Sequence, residues 1–199
     1  GVVIILDPGH GGRDQGASVA PLGLFEDEIN YDIVCRIKLL LETYTRAKVH
    51  VTMYDSKQGN LPSNATRFVH DTNEAVLTTP NYANDDAKVS ANLRWYLAND
   101  IYFKERGRGV DERKIVFASI HCDALFNDSL RGAMVYIPGA KYRRESERPS
   151  GSIYNRFEEV RQHPTSSSTP AQLRKDEALS QNFANILLQA MRTNTPPLK

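Results

Sequence analysis

Two histidines in this chain each stand directly behind an apolar run, His10 after VVIILDPG and His121 after IVFASI. A carboxylate, Glu26, opens a segment of helical periodicity between them. Two imidazole nitrogens and one carboxylate oxygen, with a fourth position left to water, form the ligand set of a catalytic zinc centre, whereas closed structural sites are usually rich in cysteine. Residues so far apart in sequence meet only if the fold gathers them. In open α/β sheets it is at the ends of strands that ligand-binding groups converge.

The elements that would do the gathering can be read from periodicity. Residues 1–6 (GVVIIL) are a continuous β-branched run halted by Asp7-Pro8-Gly9, as in a buried strand entering a loop. From Glu26 on, Ile29, Ile33, Ile37, Leu40, Leu41 and Tyr44 recur three and four residues apart, with Asp32, Arg36, Lys38 and Glu42 between them. That spacing predicts an amphipathic helix packed on the sheet. Residues 48–54 alternate as a second strand, and 55–85 are rich in Asn, Ser, Thr, Pro and Gly. The latter stretch is long for a structureless loop, so it is either an insertion with structure of its own or a mobile flap over the site.

A second helix is predicted over 86–105, with Val89, Leu93, Tyr96, Leu97 and Ile101 as its stripe, followed by a basic turn at 106–109. Strands are predicted at 114–120 (KIVFASI) and at 132–137 (GAMVYI), the latter ended by Pro138-Gly139. Residues 141–169 are polar and charged. Ala178, Leu179, Phe183, Ile186, Leu187 and Ala190 make a last helix before a proline-containing tail at 193–199. Strands alternating with helices indicate an α/β fold, a three-layer α/β/α sandwich about a mostly parallel, mixed, twisted sheet.

Composition narrows the rest. The chain has 199 residues, enough for one domain with a proper core, and its 25 basic against 24 acidic residues leave a net charge of +1. Bulk charge therefore gives no reason to expect nucleic acid or an anionic membrane as partner. No stretch of about 18 apolar residues is present, so no membrane span is expected. The chain opens on an apolar run with no signal-like segment, which suggests a processed or trimmed product. Two cysteines, Cys35 and Cys122, are too few for a disulfide framework, and buried free thiols are expected. The glycine-rich turn lacks the G-x-G-x-x-G order and no P-loop occurs, which argues against a nucleotide site.

Three segments, residues 4–17 (IILDPGHGGRDQGA), 23–31 (GLFEDEINY) and 118–124 (ASIHCDA), resemble the zinc-dependent N-acetylmuramoyl-L-alanine amidases of the type 3 class, in that family's order. The resemblance is weak around residues 89–92, returns at 115–137, includes the last helix, and omits 55–85 and 140–170, which look like insertions. It implies Zn²⁺ as cofactor, with His10, Glu26 and His121 as ligands, and peptidoglycan as substrate. Gly9, Gly11 and Gly12 would let the backbone turn sharply beside the metal. Asp7 and Asp123 are either acceptors that orient the ligating imidazoles or turn and cap formers.

The implied reaction is hydrolysis of the amide between the lactyl group of N-acetylmuramic acid and L-alanine, with a carboxylate as general base. In the family that base is a glutamate on a late strand in a Val-Glu-x-Gly-Phe-like motif. The motif is missing here, so the base is expected beyond Lys199, or else the protein binds zinc without hydrolysing. Glu158, Glu159 and Glu177 sit in charged stretches and read as solvated helix faces. A zinc carboxypeptidase acting on the stem peptide and a non-catalytic wall-binding or regulatory module are the rival readings.

His50, His70 and His163 read as surface residues, and Trp95 and Tyr96 as core or rim. Some amidases of this family hold an inserted helix over the site until an activator protein displaces it, a role open to 140–170 and its charged group Arg143, Arg144, Glu145, Glu147 and Arg148. The resemblance further implies a bacterial periplasmic or extracellular location.

Overall fold

β1 (Val3–Pro8) is the middle strand of a parallel sheet, flanked by β4 (Lys48–Val51) and β7 (Ile115–Ile120), and the register of its neighbours decides where the two candidate histidines emerge. Val3 lies opposite both Lys48 and Ile115, and Pro8 lies opposite Ile120. β1 and β7 (Ile115–Ile120) thus end level with one another, and the Gly9 N–H closes the step with a 2.8 Å bond to the Ile120 carbonyl. Val3, Ile5 and Leu6 are buried, as a continuous apolar strand inside a parallel sheet must be. β2 (Ser18–Val19) and β3 (Leu24–Phe25) form a short antiparallel pair on the way to the first helix.

The computed structural model describes residues 1–123, 129, 132–143, 146–147 and 149–194. The chain divides into two compact units, Gly1–Ala124 with Pro149–Pro164, and Leu125–Arg148 with Thr165–Lys199. The fold is α/β with a parallel central sheet in the first unit. Residues 195–199 of the expected tail, together with Ala124, Arg144, Glu145 and Arg148, lie outside the described residues.

Helix α1 (Glu26–Tyr44) packs on β1 and β4 (Lys48–Val51), but not with the face its periodicity suggests. Ile29, Ile33 and Ile37 are only half-buried and Leu40 is 56% exposed, whereas Asp27, Glu28, Asn30, Tyr31 and Asp32 are buried. The reason is that 55–85 folds over this polar side. The Tyr31 hydroxyl donates to the Gly59 carbonyl (2.8 Å) and accepts from the Asp55 N–H (2.9 Å). The Asp71 N–H donates to Glu28 (2.8 Å), the Ser63 N–H to Asp32, and His70 Nδ1 lies 2.7 Å from Asp27. A segment poor in apolar residues can still cover a helix if its backbone N–H groups find acceptors, and carboxylates supply them.

That segment therefore has structure of its own. β5 (Met53–Asp55) pairs antiparallel with β6 (Glu74–Val76). The single strand expected over 48–54 breaks at Thr52, which is buried and gives its N–H to Leu6 (3.0 Å) and its hydroxyl to Asp7.

Helix α2 (Ala87–Gly107) starts on an Asp86 cap that accepts from the Val89 N–H at 2.9 Å. Its Leu93, Tyr96 and Leu97 meet Met53, Val76 and Tyr82 in the core, and the remaining wall is Tyr154, Phe157 and Val160. The polar stretch beyond residue 140 thus places an aromatic pair in the core. Helix α3 (Glu158–Gln162) carries Glu159, which is buried and accepts from the Thr79 N–H at 3.0 Å, so it does not lie on a solvated face.

In the second unit β8 (Ser146–Glu147) pairs with β9 (Ser166–Ser167), and α4 (Pro170–Asn194) packs on the turn Ala140–Tyr142, with Glu177 accepting from the Ala140 N–H at 3.1 Å. Residues 132–137 form no strand. Met134 and Tyr136 are exposed (46% and 74%) and no described strand pairs with them, and strand propensity without a ladder partner does not fix a strand.

Two measurements check this packing. Phe157→Ala should cost about 3–5 kcal/mol in urea unfolding, the usual loss for a buried aromatic. Glu74 is buried, and burial, with repulsion from Asp27 and Asp55, pushes its carboxyl up to about 7 despite the bond from Gly12 N–H. Its folded state holds the proton more tightly than its unfolded state. In chelator, stability should therefore fall as pH rises from 4.5 to about 7. Glu74→Gln should flatten that slope, and an unchanged slope would contradict the burial of this carboxyl.

Candidate metal centre

The turn after β1 brings His10 back over the sheet edge through a left-handed conformation, φ 65°, which a non-glycine residue adopts only when held there. Arg94 of α2 does the holding: its Nη1 donates to the Pro8 carbonyl (2.6 Å) and the His10 carbonyl (3.4 Å), and lies 3.5 Å from Asp7. Glu26 arrives from the other side as the first residue of α1. The first turn carries no side-chain cap but holds three carboxylates, Glu26, Asp27 and Glu28, where the free N–H groups and the helix dipole favour negative charge.

The three candidate groups meet. His10 Nε2 is 3.3 Å and His121 Nδ1 is 3.1 Å from the same oxygen, Glu26 Oε1, and the two rings stand edge to face with centroids 5.0 Å apart. All three potential ligand atoms lie within 4.8 Å of one another, as a group able to hold a metal ion must. Four ligands about 2.0–2.1 Å from a tetrahedral ion sit about 3.3 Å apart, so these separations fit zinc's geometry. Glu26 is buried, His10 half-buried and the His121 side chain 41% exposed, leaving one side open to solvent.

Burial opposes ionisation of Glu26. The bond from Ala17 N–H (2.8 Å), the charge of His10, the contact with His121 and the bond from Cys122 N–H (3.1 Å) outweigh it and hold the carboxyl below its ordinary value. Among the described residues no lysine or arginine pairs with Glu26. An ionised, buried carboxylate facing two imidazole nitrogens is a donor set that suits a cation.

Beside the three candidate groups, two glycines are required by space. A Cβ at Gly9 would lie 2.3 Å from His121 Cε1, and one at Gly16 would lie 2.7 Å from both Glu26 Oε2 and His10 Cδ2. Gly11 and Gly12 serve elsewhere in the turn. They pack on Met53 and Asn84, and Gly12 N–H donates to Glu74 at 2.9 Å.

Asp7 accepts from Thr52 and from Ser119 (2.7 Å) and pairs with Arg94, so its carboxylate ties strand ends together and engages no imidazole. Asp123 is exposed beside Cys122. The carboxylate that does engage a candidate ligand is Asp14, whose Oδ2 lies 3.0 Å from His10 Nδ1. Sequence reasoning passed over it, although its position four residues after His10 in a glycine-rich turn was a usable signal. Asn30 was also missed. One helical turn beyond Glu26, it donates to the Gly9 carbonyl (3.2 Å) and to Glu26 Oε1 (3.4 Å).

The other histidines lie apart from this group. His70 bonds Asp27, His163 stacks on Phe103 at 4.4 Å, and His50 lies 3.6 Å from Glu105. Tyr96 is core, with Trp95 packed edge-on to it. Both cysteines are free. Cys35 is buried and its thiol is pushed up to about 11 by that burial, while Cys122 is half-buried and also raised.

Residues 4–196 match the family model described as N-acetylmuramoyl-L-alanine amidase. The chain belongs to this amidase family. No individual curated protein matches it. The match takes in almost the whole amidase chain, including the two segments that read as insertions, and membership supports peptidoglycan amide hydrolysis as its activity. Among the described residues no helix of the amidase is long and apolar enough to cross a membrane.

Asp14 should matter to metal affinity through His10. Asp14→Asn is expected to weaken zinc binding about 10–100-fold, the usual cost of removing a carboxylate behind a ligating histidine. Competition with a chromogenic chelator reads this directly, and wild-type affinity in the variant would show that the contact does not orient His10.

Proposed function

We propose that this amidase uses Zn²⁺ held by His10, Glu26 and His121 to hydrolyse the bond between N-acetylmuramic acid and the L-alanine of the stem peptide, in wall remodelling, daughter-cell separation or lysis. The observation that carries the reading is the convergence of two imidazole nitrogens on one ionised carboxylate oxygen, at 3.1 and 3.3 Å. Zinc at such a site supplies an acidified water and a Lewis acid for the scissile carbonyl.

The chain's own residues prepare the site. Glu26 is kept charged by the Ala17 and Cys122 N–H groups, and Asp14 fixes the proton of His10 on Nδ1, so that Nε2 presents its lone pair. Gly9 and Gly16 leave the imidazoles room, and the exposed side of His121 is the face open to substrate. Glu159 and Glu177 spend their carboxylates on backbone N–H groups and are not assigned as the general base.

The two compact units are read as parts of one domain, built as a three-layer α/β/α sandwich on a mixed, twisted sheet and acting in the bacterial periplasm or outside the cell. The match running from residue 4 to 196 supports that reading. An activator protein belongs to the proposal as the partner that an inhibitory element within 141–169 would need. Tyr154, Phe157 and Val160 tie 153–160 into the core, so a displaceable piece would come from the remainder of that segment.

Purified protein incubated with intact muropeptides should release peptides beginning with L-alanine, lose turnover in chelator and regain it with zinc. His10→Ala and His121→Ala should each lower kcat/KM by about 10³-fold or more, since several kcal/mol of charge stabilisation depend on the metal. Release of C-terminal residues from the stem peptide would instead favour the carboxypeptidase, and zinc binding without turnover a wall-binding module.

A further inference from the structure

A second group of carboxylates lies on the neighbouring face of α1, where the 55–85 insertion covers it. Glu28, Asp71 and Glu74 each offer a carboxylate oxygen, and these oxygens lie within 4.8 Å of one another. Asp27, Glu28 and His70 form an adjoining group that shares Glu28. Asp27 is 1%, Glu28 6% and Glu74 2% exposed. Buried negative charge of this density normally comes with cations. Among the described residues the pairing is sparse: Lys57 reaches Asp71 (2.8 Å), His70 reaches Asp27, and no lysine or arginine pairs with Glu28 or Glu74.

The remaining valences point the same way. Glu74 gives Oε2 to the Gly12 N–H, and its Oε1 is buried without a hydrogen-bond partner; Asp27 Oδ1 is likewise buried and unpartnered. Glu28 gives Oε1 to the Asp71 N–H. Each buried side chain thus has one oxygen tied to the protein, or to His70, and a second oxygen to offer. Water-sized access is present as well. A cavity of about 410 Å³ lined by Glu28, Asp71, Lys57, Gln58 and Phe68 reaches the group from the insertion side.

We propose that Glu28, Asp71 and Glu74 form a second cation site, for a hard divalent ion of the calcium type, which clasps the 55–85 insertion onto α1. Oxygen ligands about 2.3–2.6 Å from such an ion stand at most about 5 Å apart across it, which accommodates the observed spacing, and Ca²⁺ fills its remaining positions with water or backbone carbonyls. An all-carboxylate triad favours a hard ion over zinc. The clasp would join three things: the helix turn that carries Glu26, the insertion, and, through Glu74, the Gly11–Gly12 turn that follows His10. The ion would be structural, stabilising the platform under the other site without touching it.

The test is calcium chloride titrated into the metal-stripped chain, followed by calorimetry and thermal unfolding. Saturable binding of one ion with a rise in Tm is expected. It should persist in the His10→Ala/His121→Ala double variant, which removes the imidazoles of the other site, and weaken about tenfold or more in Glu74→Gln, as affinity follows the charge count of the ligands. Absence of saturable binding, loss of binding in the histidine variant, or unchanged affinity in Glu74→Gln would each overturn the proposal. Anomalous scattering from wild-type crystals soaked in calcium needs no variant: a peak among Glu28, Asp71 and Glu74 supports it, and a peak only between His10, Glu26 and His121, or none, contradicts it.

Discussion

Parallel pairing of β1 with β7 puts Pro8 opposite Ile120, and from that register most of the site follows. Both strands end at one edge of the sheet, both lead within two residues to a histidine, and the Gly9 N–H bond to Ile120 pins the two exits together. A side chain at Gly9 would collide with His121, so the same step that aligns the strands requires glycine there. A register slip of one residue would turn the strand ends over and separate the histidines. Glu26 then needs only a helix whose first turn faces this edge. Its carboxylate is buried at low cost because the Ala17 and Cys122 N–H groups and two imidazoles surround it.

The same helix serves two purposes on two faces. Its start supplies a carboxylate to the sheet edge, while Asp27, Glu28 and Asp32 receive N–H groups or His70 from residues 55–85. Burying acids in this way leaves Glu74 raised to about 7 and Glu28 to about 8, both by burial, with neighbouring acids adding to the shift. A polar segment placed over a polar helix face makes an interface governed by charge, and its stability therefore depends on pH as that of an apolar core does not.

The candidate triad was legible because each member follows a strong local signal: two apolar strands ending in His10 and His121, and Glu26 at the onset of a helical period. Asp14 and Asn30 were harder to see, since their roles rest on the turn around His10 and on which side of α1 is buried. Periodicity misjudged that side. Ile29, Ile33, Ile37 and Leu40 form the stripe, yet Asn30 is buried against Gly9 and Glu26, and Asp32 under residues 55–85, because polar groups can be buried when hydrogen-bond partners come to them. The unmade strand at 132–137 and the core aromatics Tyr154 and Phe157 have a common lesson. Composition reports what a segment could bury, and only a tertiary partner decides whether it does.

A metal ion held by His10, Glu26 and His121 is the centre of the proposed site. Diffraction data collected on either side of the zinc absorption edge, from crystals grown with zinc, should give an anomalous difference peak about 2.0–2.1 Å from His10 Nε2, His121 Nδ1 and a Glu26 oxygen. No peak at that position, or a peak coordinated by other residues with these three left as a hydrogen-bonded cluster, would contradict it.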